Sequence, residues 1–301
     1  MAVKTDPGAE RRPGGSPRTA TAADLLTPRP RSTADDGSDT RPEPGRVPPL
    51  PADLDESLLR LKLNHARRAA TELLPAAKAE NWPPEEYLRQ VLAEEVMGQD
   101  DARRAARIRA ARFAPNAKSF ASWKPELSSI DLEVQKALIA MEWSRRKETV
   151  VLAGPSGTGK SHLAGALSRH AIDHGMRVAW NTLETLGDQL TKAKLDGTVT
   201  RTIARICSND IVVVDDIGVL PVEPIQAEAF YRIIDTAYER RSIILTSNTH
   251  PSGFDSIMPK TMATAAIDRL MHHAHLIVTT GDSFRFTEAK NGGGVTPLIG
   301  S

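Results

Sequence analysis

Eight consecutive residues, Gly154-Pro155-Ser156-Gly157-Thr158-Gly159-Lys160-Ser161, carry the spacing G-x-x-x-x-G-K-[ST]. Glycines at those positions let successive backbone N–H groups turn inward around a polyphosphate, and a following helix adds the positive end of its dipole. Lys160 then falls where it meets the β- and γ-phosphates, and Ser161 where its hydroxyl meets Mg²⁺. The segment directly follows the apolar run Thr149–Ala153, which is the strand-to-loop-to-helix context the mechanism needs. A second run, Ile211-Val212-Val213-Val214, ends in Asp215-Asp216. In parallel sheets ligands lie beyond the carboxyl ends of the strands, so Asp215 is the candidate second Mg²⁺ ligand. Asp216 is the candidate to position or deprotonate an attacking water. A third run, Ile243-Ile244-Leu245, ends in Thr246-Ser247-Asn248, where Asn248 is a candidate to orient that water. Together these residues imply binding of ATP with Mg²⁺, and its hydrolysis.

Other reactive side chains carry less. His272, His273 and His275, and the i, i+4 pair His170 and His174, have no Cys or acidic partner at ligand spacing, so the sequence sets a metal site aside there. The single cysteine, Cys207, reads as a small buried residue.

The elements that must hold the nucleotide residues are five short apolar runs separated by helical patterns: Val150–Leu152, Val178–Trp180, Ile211–Val214, Ile243–Leu245 and Leu276–Val278. That alternation predicts an α/β domain over 128–290 with a five-stranded parallel sheet covered on both faces. Upstream, 54–127 reads as a small helical domain. Leu59, Leu63, Ala66, Ala70 and Leu73 recur at helical steps, as do Leu88, Val91, Leu92 and Val96 after Pro83-Pro84, and Gly98 is expected to interrupt or bend the run. Residues 1–53 are expected to be a disordered tail, because the first 52 hold 10 of the 21 prolines and no aromatic residue. The Gly292-Gly293-Gly294 stretch makes 291–301 a flexible C-terminal tail.

The charge total is nearly balanced, 39 Lys and Arg against 38 Asp and Glu, so only its distribution is informative. From Ser57 to Pro125 there are 13 basic and 8 acidic residues, densest at Arg103, Arg104, Arg107, Arg109 and Arg112. At about 100° per residue the first three share one side of a helix and the last two another, so the cluster partly wraps the helix. It is the candidate nucleic-acid contact, with a solvated helix face as the plainer alternative. No run of about 18 apolar residues that could span a bilayer occurs, and no apolar signal region opens the chain. The expectation is a cytoplasmic protein with no membrane partner.

The order of motifs, followed by Ala-Ala-Ile-Asp-Arg-Leu-Met-His-His-Ala-His and Gly-Asp-Ser-Phe-Arg, resembles the IstB-like ATP-binding proteins over about 57–290. These are the transposition helper ATPases of insertion sequences, relatives of the DnaC helicase loaders within the AAA+ class. The resemblance implies an AAA+ P-loop NTPase fold, with Asn248 as sensor 1, Arg269 as an arginine finger reaching a neighbour's ATP, and Arg285 as sensor 2. It implies a homo-oligomer with ATP at subunit interfaces, non-specific contact with double-stranded DNA and a partner transposase. A departure is Asp216, where most AAA+ ATPases carry Glu; the shorter side chain puts fast hydrolysis in doubt. Two rival functions share the core: a replicative helicase loader, and a nucleotide-gated scaffold with little turnover.

Overall fold

The computed structural model describes residues 50–113, 119–218 and 221–284. Most of the expected N-terminal tail and all of 291–301 lie outside them, as does Arg285. The described chain divides into two compact units between Asp101 and Ala102.

The first unit contains α1 (Ala52–Arg60), α2 (Asn64–Ala79) and most of α3 (Pro84–Ala111). Ala66 and Ala70 of α2 are buried against Val91 of α3, with Leu63, Leu73 and Tyr87 packed around them. The small alanines let the two helices approach closely, and polar groups finish the contact. Tyr87 donates its hydroxyl hydrogen to the Ala70 carbonyl (2.7 Å), and the buried Glu95 accepts from the Ala66 N–H (2.7 Å). Residue Leu63 at the start of α2 offers no side-chain cap, so Glu95 supplies one from the neighbouring helix. Two sequence expectations change here. The face of α3 turned to α2 carries Tyr87, Val91, Glu95 and Gly98, whereas Leu88, Leu92 and Val96 are 45–56% exposed. Gly98 also does not break the helix, which runs through it unbroken. A Cβ at Gly98 would stand 2.2 Å from the His65 ring, so its role is close approach.

The second unit is built on β1 (Thr149–Ala153), β2 (Val178–Thr182), β3 (Ile211–Ile217), β4 (Ser242–Ser247) and β5 (Ala274–Val278). They form a parallel sheet in the order β2-β3-β4-β1-β5. Helices α4 (Leu132–Ile139) and α5 (Glu142–Arg145) precede β1; α6 (Lys160–Asp173) joins β1 to β2. α7 (Leu183–Leu195) and α8 (Val199–Ile206) precede β3, α9 (Pro224–Ala237) joins β3 to β4, and α10 (Lys260–His272) leads into β5. Alternate residues of each strand serve opposite faces, as the pleat requires. Val212, Val214, Ile243 and Leu245 pack with α7 to α10, while Ile211, Val213, Ile244, Val150 and Leu152 pack with α6, Trp143 and Ile108 of α3. Both faces are therefore covered, which explains why the strands read as continuous apolar runs. The carboxyl ends of β1, β3 and β4 meet at one edge of this sheet.

Candidate functional site

At that edge the loop after β1 is shaped by its glycines. Gly154, Gly157 and Gly159 have φ of 146°, 86° and 92°, a backbone region that L side chains rarely enter, and Lys160 opens α6 directly behind them. A Cβ on Gly157 would come 2.1 Å from Ser283 Oγ, and one on Gly154 would come 2.2 Å from the Thr279 carbonyl. Chain from beyond β5 thus lines the loop: Phe284 donates its N–H to the Gly157 carbonyl (3.0 Å), and Thr158 and Thr279 join hydroxyls at 2.7 Å. Trp123 comes 3.3 Å from where a Gly159 Cβ would be and meets the His162 ring at a near right angle. Lys160 is buried and donates from Nζ to the carbonyls of Gly154 and Pro155 (2.8 and 2.7 Å), so its ammonium is at the loop's inner face.

Ser161 Oγ donates to Asp215 Oδ1 at 2.8 Å, bringing together the two groups expected to share a cation. The same carboxylate oxygen accepts from Thr246 Oγ1 at 2.5 Å, and Thr246 Oγ1 in turn accepts from the Asp216 N–H at 2.9 Å. Asp215 is buried, and burial pushes its carboxyl above the ordinary range against the pull of the Thr246 and Ser161 hydroxyls. A positive charge beside it would reverse that shift, which is what a cation ligand needs. Asp216 is exposed and holds a left-handed φ of 62° where the β3–β4 register slips between Val214 and Ile217. Its side chain therefore departs from the regular alternation of faces that an unbroken strand would impose. Asn248 follows β4, its N–H on the Ile217 carbonyl (2.8 Å), so it stands beside the end of β3.

The loop, the hydroxyl–carboxylate pair and the exposed second carboxylate fit ATP with a hard divalent cation, whose ligands are oxygens. In the sequence Thr246 is only part of a polar strand end, because its role depends on which β3 residue lies opposite it. The Thr279 and Ser283–Phe284 contacts carried no local signal.

Arg269 is elsewhere. β5 begins beside Thr149, the first residue of β1, and α10 ends just before it. Arg269, on the last turn of α10, is thus at the amino end of the sheet, whereas the phosphate loop leaves its carboxyl end. A five-residue strand separates the two ends by roughly 15 Å. Arg269 Nε pairs with Asp235 (3.2 Å), Nη1 donates to the Ala265 carbonyl (3.2 Å), and the guanidinium lies over the Tyr231 ring. Of the basic cluster, Arg103, Arg104, Arg109 and Arg112 are exposed and Arg107 is half-buried. Arg104 pairs with Asp173 at 2.5 Å, the last residue of α6.

A five-stranded parallel sheet in this order, with a phosphate loop after β1, an acidic pair near the carboxyl end of β3 and a polar strand end on β4, is the fold of the AAA+ P-loop class. Residues 56–292 match the family described as IstB-like ATP binding protein, and the chain belongs to that family. It is 32% identical over 246 residues to a Pseudomonas aeruginosa protein named for ATP binding in insertion sequence IS21, covering 81% of this chain and 92% of that one. It is 29% identical over 240 residues to a Sinorhizobium fredii protein also named as an insertion-sequence ATP-binding protein, covering 77% and 80%. Among solved structures, a DNA replication initiation factor aligns with TM-score 0.48 at 23% identity, covering 60% of this chain and 55% of that one. The DnaC helicase loader aligns with TM-score 0.41 at 20% identity, covering 50% and 88%. Among the described residues no helix is long and apolar enough to cross a membrane.

Proposed function

We propose that this chain is an ATP-hydrolysing helper of insertion-sequence transposition, which assembles on double-stranded DNA with ATP between subunits and activates a partner transposase. The observation that carries the ATPase reading is the convergence of Ser161 and Asp215 at 2.8 Å beside the exposed Asp216. Membership of the family and the names of the relatives favour the transposition helper over a helicase loader.

The backbone N–H groups of Gly157, Gly159 and Lys160 and the amino end of α6 bind the phosphates. Lys160 exchanges two carbonyl partners for phosphate oxygens, a charge-assisted gain. Ser161 and Asp215 would hold Mg²⁺, which would supply charge neutralisation to the polyphosphate. Asp216 accepts the proton of the attacking water, and Asn248 orients that water. Arg269 cannot reach its own subunit's phosphate loop from the opposite end of the sheet, so it serves the ATP of the next subunit; Arg285 is assigned to the γ-phosphate on the family pattern alone. Arg104 on Asp173 ties the basic cluster to the far end of the helix that begins at Lys160, a short mechanical path from nucleotide to DNA.

The test is complementation. Lys160→Ala is expected to lose tight ATP binding and Arg269→Ala to keep binding and lose turnover, while a mixture of the two regains turnover. Parent-like turnover of Lys160→Ala removes the phosphate-loop assignment. Failure of the mixture, with both variants folded and co-assembling, removes the finger in trans. A parent protein that binds ATP and never releases phosphate is the nucleotide-gated scaffold instead.

A further inference from the structure

The ends of α9 and α10 bring Glu239, His272 and His273 together, with one ligand atom from each within 4.8 Å of the others. Glu239 follows α9 with a left-handed φ of 56°, which turns its side chain back toward α10. His272 is the last residue of α10 and His273 its cap, and the His273 carbonyl accepts the Thr149 N–H at 2.8 Å, tying this backbone into the sheet. His273 Nε2 lies 3.6 Å from Glu239 Oε1, and the two imidazole rings lie 4.1 Å apart between centroids. Tyr238 Oη is 2.8 Å from His272 Nδ1 and fixes that ring's orientation, the job an outer partner performs for a metal-bound histidine.

We propose that Glu239, His272 and His273 form a site for a transition-metal cation of the Zn²⁺ class, with its remaining position open to water. Two imidazole nitrogens and one carboxylate oxygen suit Zn²⁺, Co²⁺ or Ni²⁺ and are a poor set for Mg²⁺ or Ca²⁺, which take oxygen. A shared cation would take one ligand atom from each of the three side chains, and the two imidazole rings already meet edge to face. The bound ion joins α9 to α10 one turn beyond Asp235 and Arg269, the pair that links the same helices. Sequence spacing does not show this set, because Glu239 stands 33 positions before His272 and α9–α10 packing brings it there. The pair His170 and His174 has its rings 4.3 Å apart, but among the described residues no third ligand joins it.

The experiment titrates Co²⁺ into the full chain, freed of any histidine tag and of nucleotide. A tetrahedral Co²⁺ absorption band at one equivalent, displaced by Zn²⁺ and not by Mg²⁺, is expected, together with a rise in melting temperature on adding Zn²⁺. Glu239→Gln and His273→Ala replace solvent-exposed side chains and are expected to weaken binding by about 10-fold or more, since even partners outside the ligand set are worth that much. His170→Ala should leave it unchanged. Binding that survives in both Glu239→Gln and His273→Ala, or that is lost in His170→Ala, overturns the proposal. So does a parent protein with neither absorption band nor thermal shift at large metal excess.

Discussion

One hydroxyl, on Thr246, donates to Asp215 and accepts from the backbone of Asp216, so a fully buried side chain orders both carboxylates at once. Thr246→Val keeps the shape and removes both bonds. Leaving a buried carboxylate short of a donor costs about 1–3 kcal/mol, so the variant's stability should fall by that order. The pH dependence has a definite sign. Asp215 is held above the ordinary carboxylate range by burial, so the folded state keeps its proton longer than the unfolded chain does. This group therefore makes the nucleotide-free fold lose stability as pH rises from the ordinary carboxylate range through the raised value. Losing the Thr246 donor widens that window, and denaturant melts at several pH values would read it. Turnover should fall more than ATP affinity, since Lys160 and the loop are untouched; equal losses in both would make Thr246 a packing residue only. Lys160, Ser161 and the Asp215-Asp216 pair were legible because each motif is contiguous and lies at a strand end. Thr246 was not, because its part is set by a register slip between two strands remote in sequence.

The helices of the first unit show where periodicity misleads. Leu88, Val91, Leu92 and Val96 form a convincing apolar stripe, yet of these only Val91 is buried. The stripe that packs on α2 contains a glutamate and a glycine, residues a hydrophobic pattern passes over. Glu95 belongs there because the start of α2 needs an acceptor, and Gly98 because His65 occupies the space a Cβ would fill. Glycine to alanine in an exposed helix normally stabilises by about 1 kcal/mol. At Gly98 the clash should reverse the sign, so Gly98→Ala is expected to lower the unfolding midpoint, and His65→Ala in the same chain to recover part of the loss. A stabilised single variant would place His65 clear of Gly98. The sheet, by contrast, was legible strand by strand, since strands buried on both faces are continuous apolar runs and each is bounded by turns.

Across the whole molecule the charges nearly cancel, so the proposed binding to DNA would come from local clusters repeated over many copies. Affinity for unrelated duplexes is expected to be similar, to rise with ATP and to fall with salt, with a log–log slope of roughly −0.9 per phosphate contacted. Arg103→Ala, Arg104→Ala and Arg107→Ala together should weaken all duplexes alike in fluorescence anisotropy. Because Arg104 also holds Asp173, a thermal melt of the triple variant is needed beside it. Unchanged binding would leave the cluster a solvated face. The arrangement of Arg269 and the phosphate loop at opposite ends of one sheet has a consequence for assembly itself. If the contact joining one subunit's Arg269 to another's nucleotide is head-to-tail, and not the exchanged pair of contacts of a two-fold dimer, each contact completes one site only. Such contacts either close into a ring or continue as a helical filament with two unlike ends. One terminal subunit then holds nucleotide that no finger reaches, and the other presents a finger with nothing to act on. In a ring every site is complete; in an open filament one site is always missing, so turnover per subunit climbs toward a plateau as the filament lengthens.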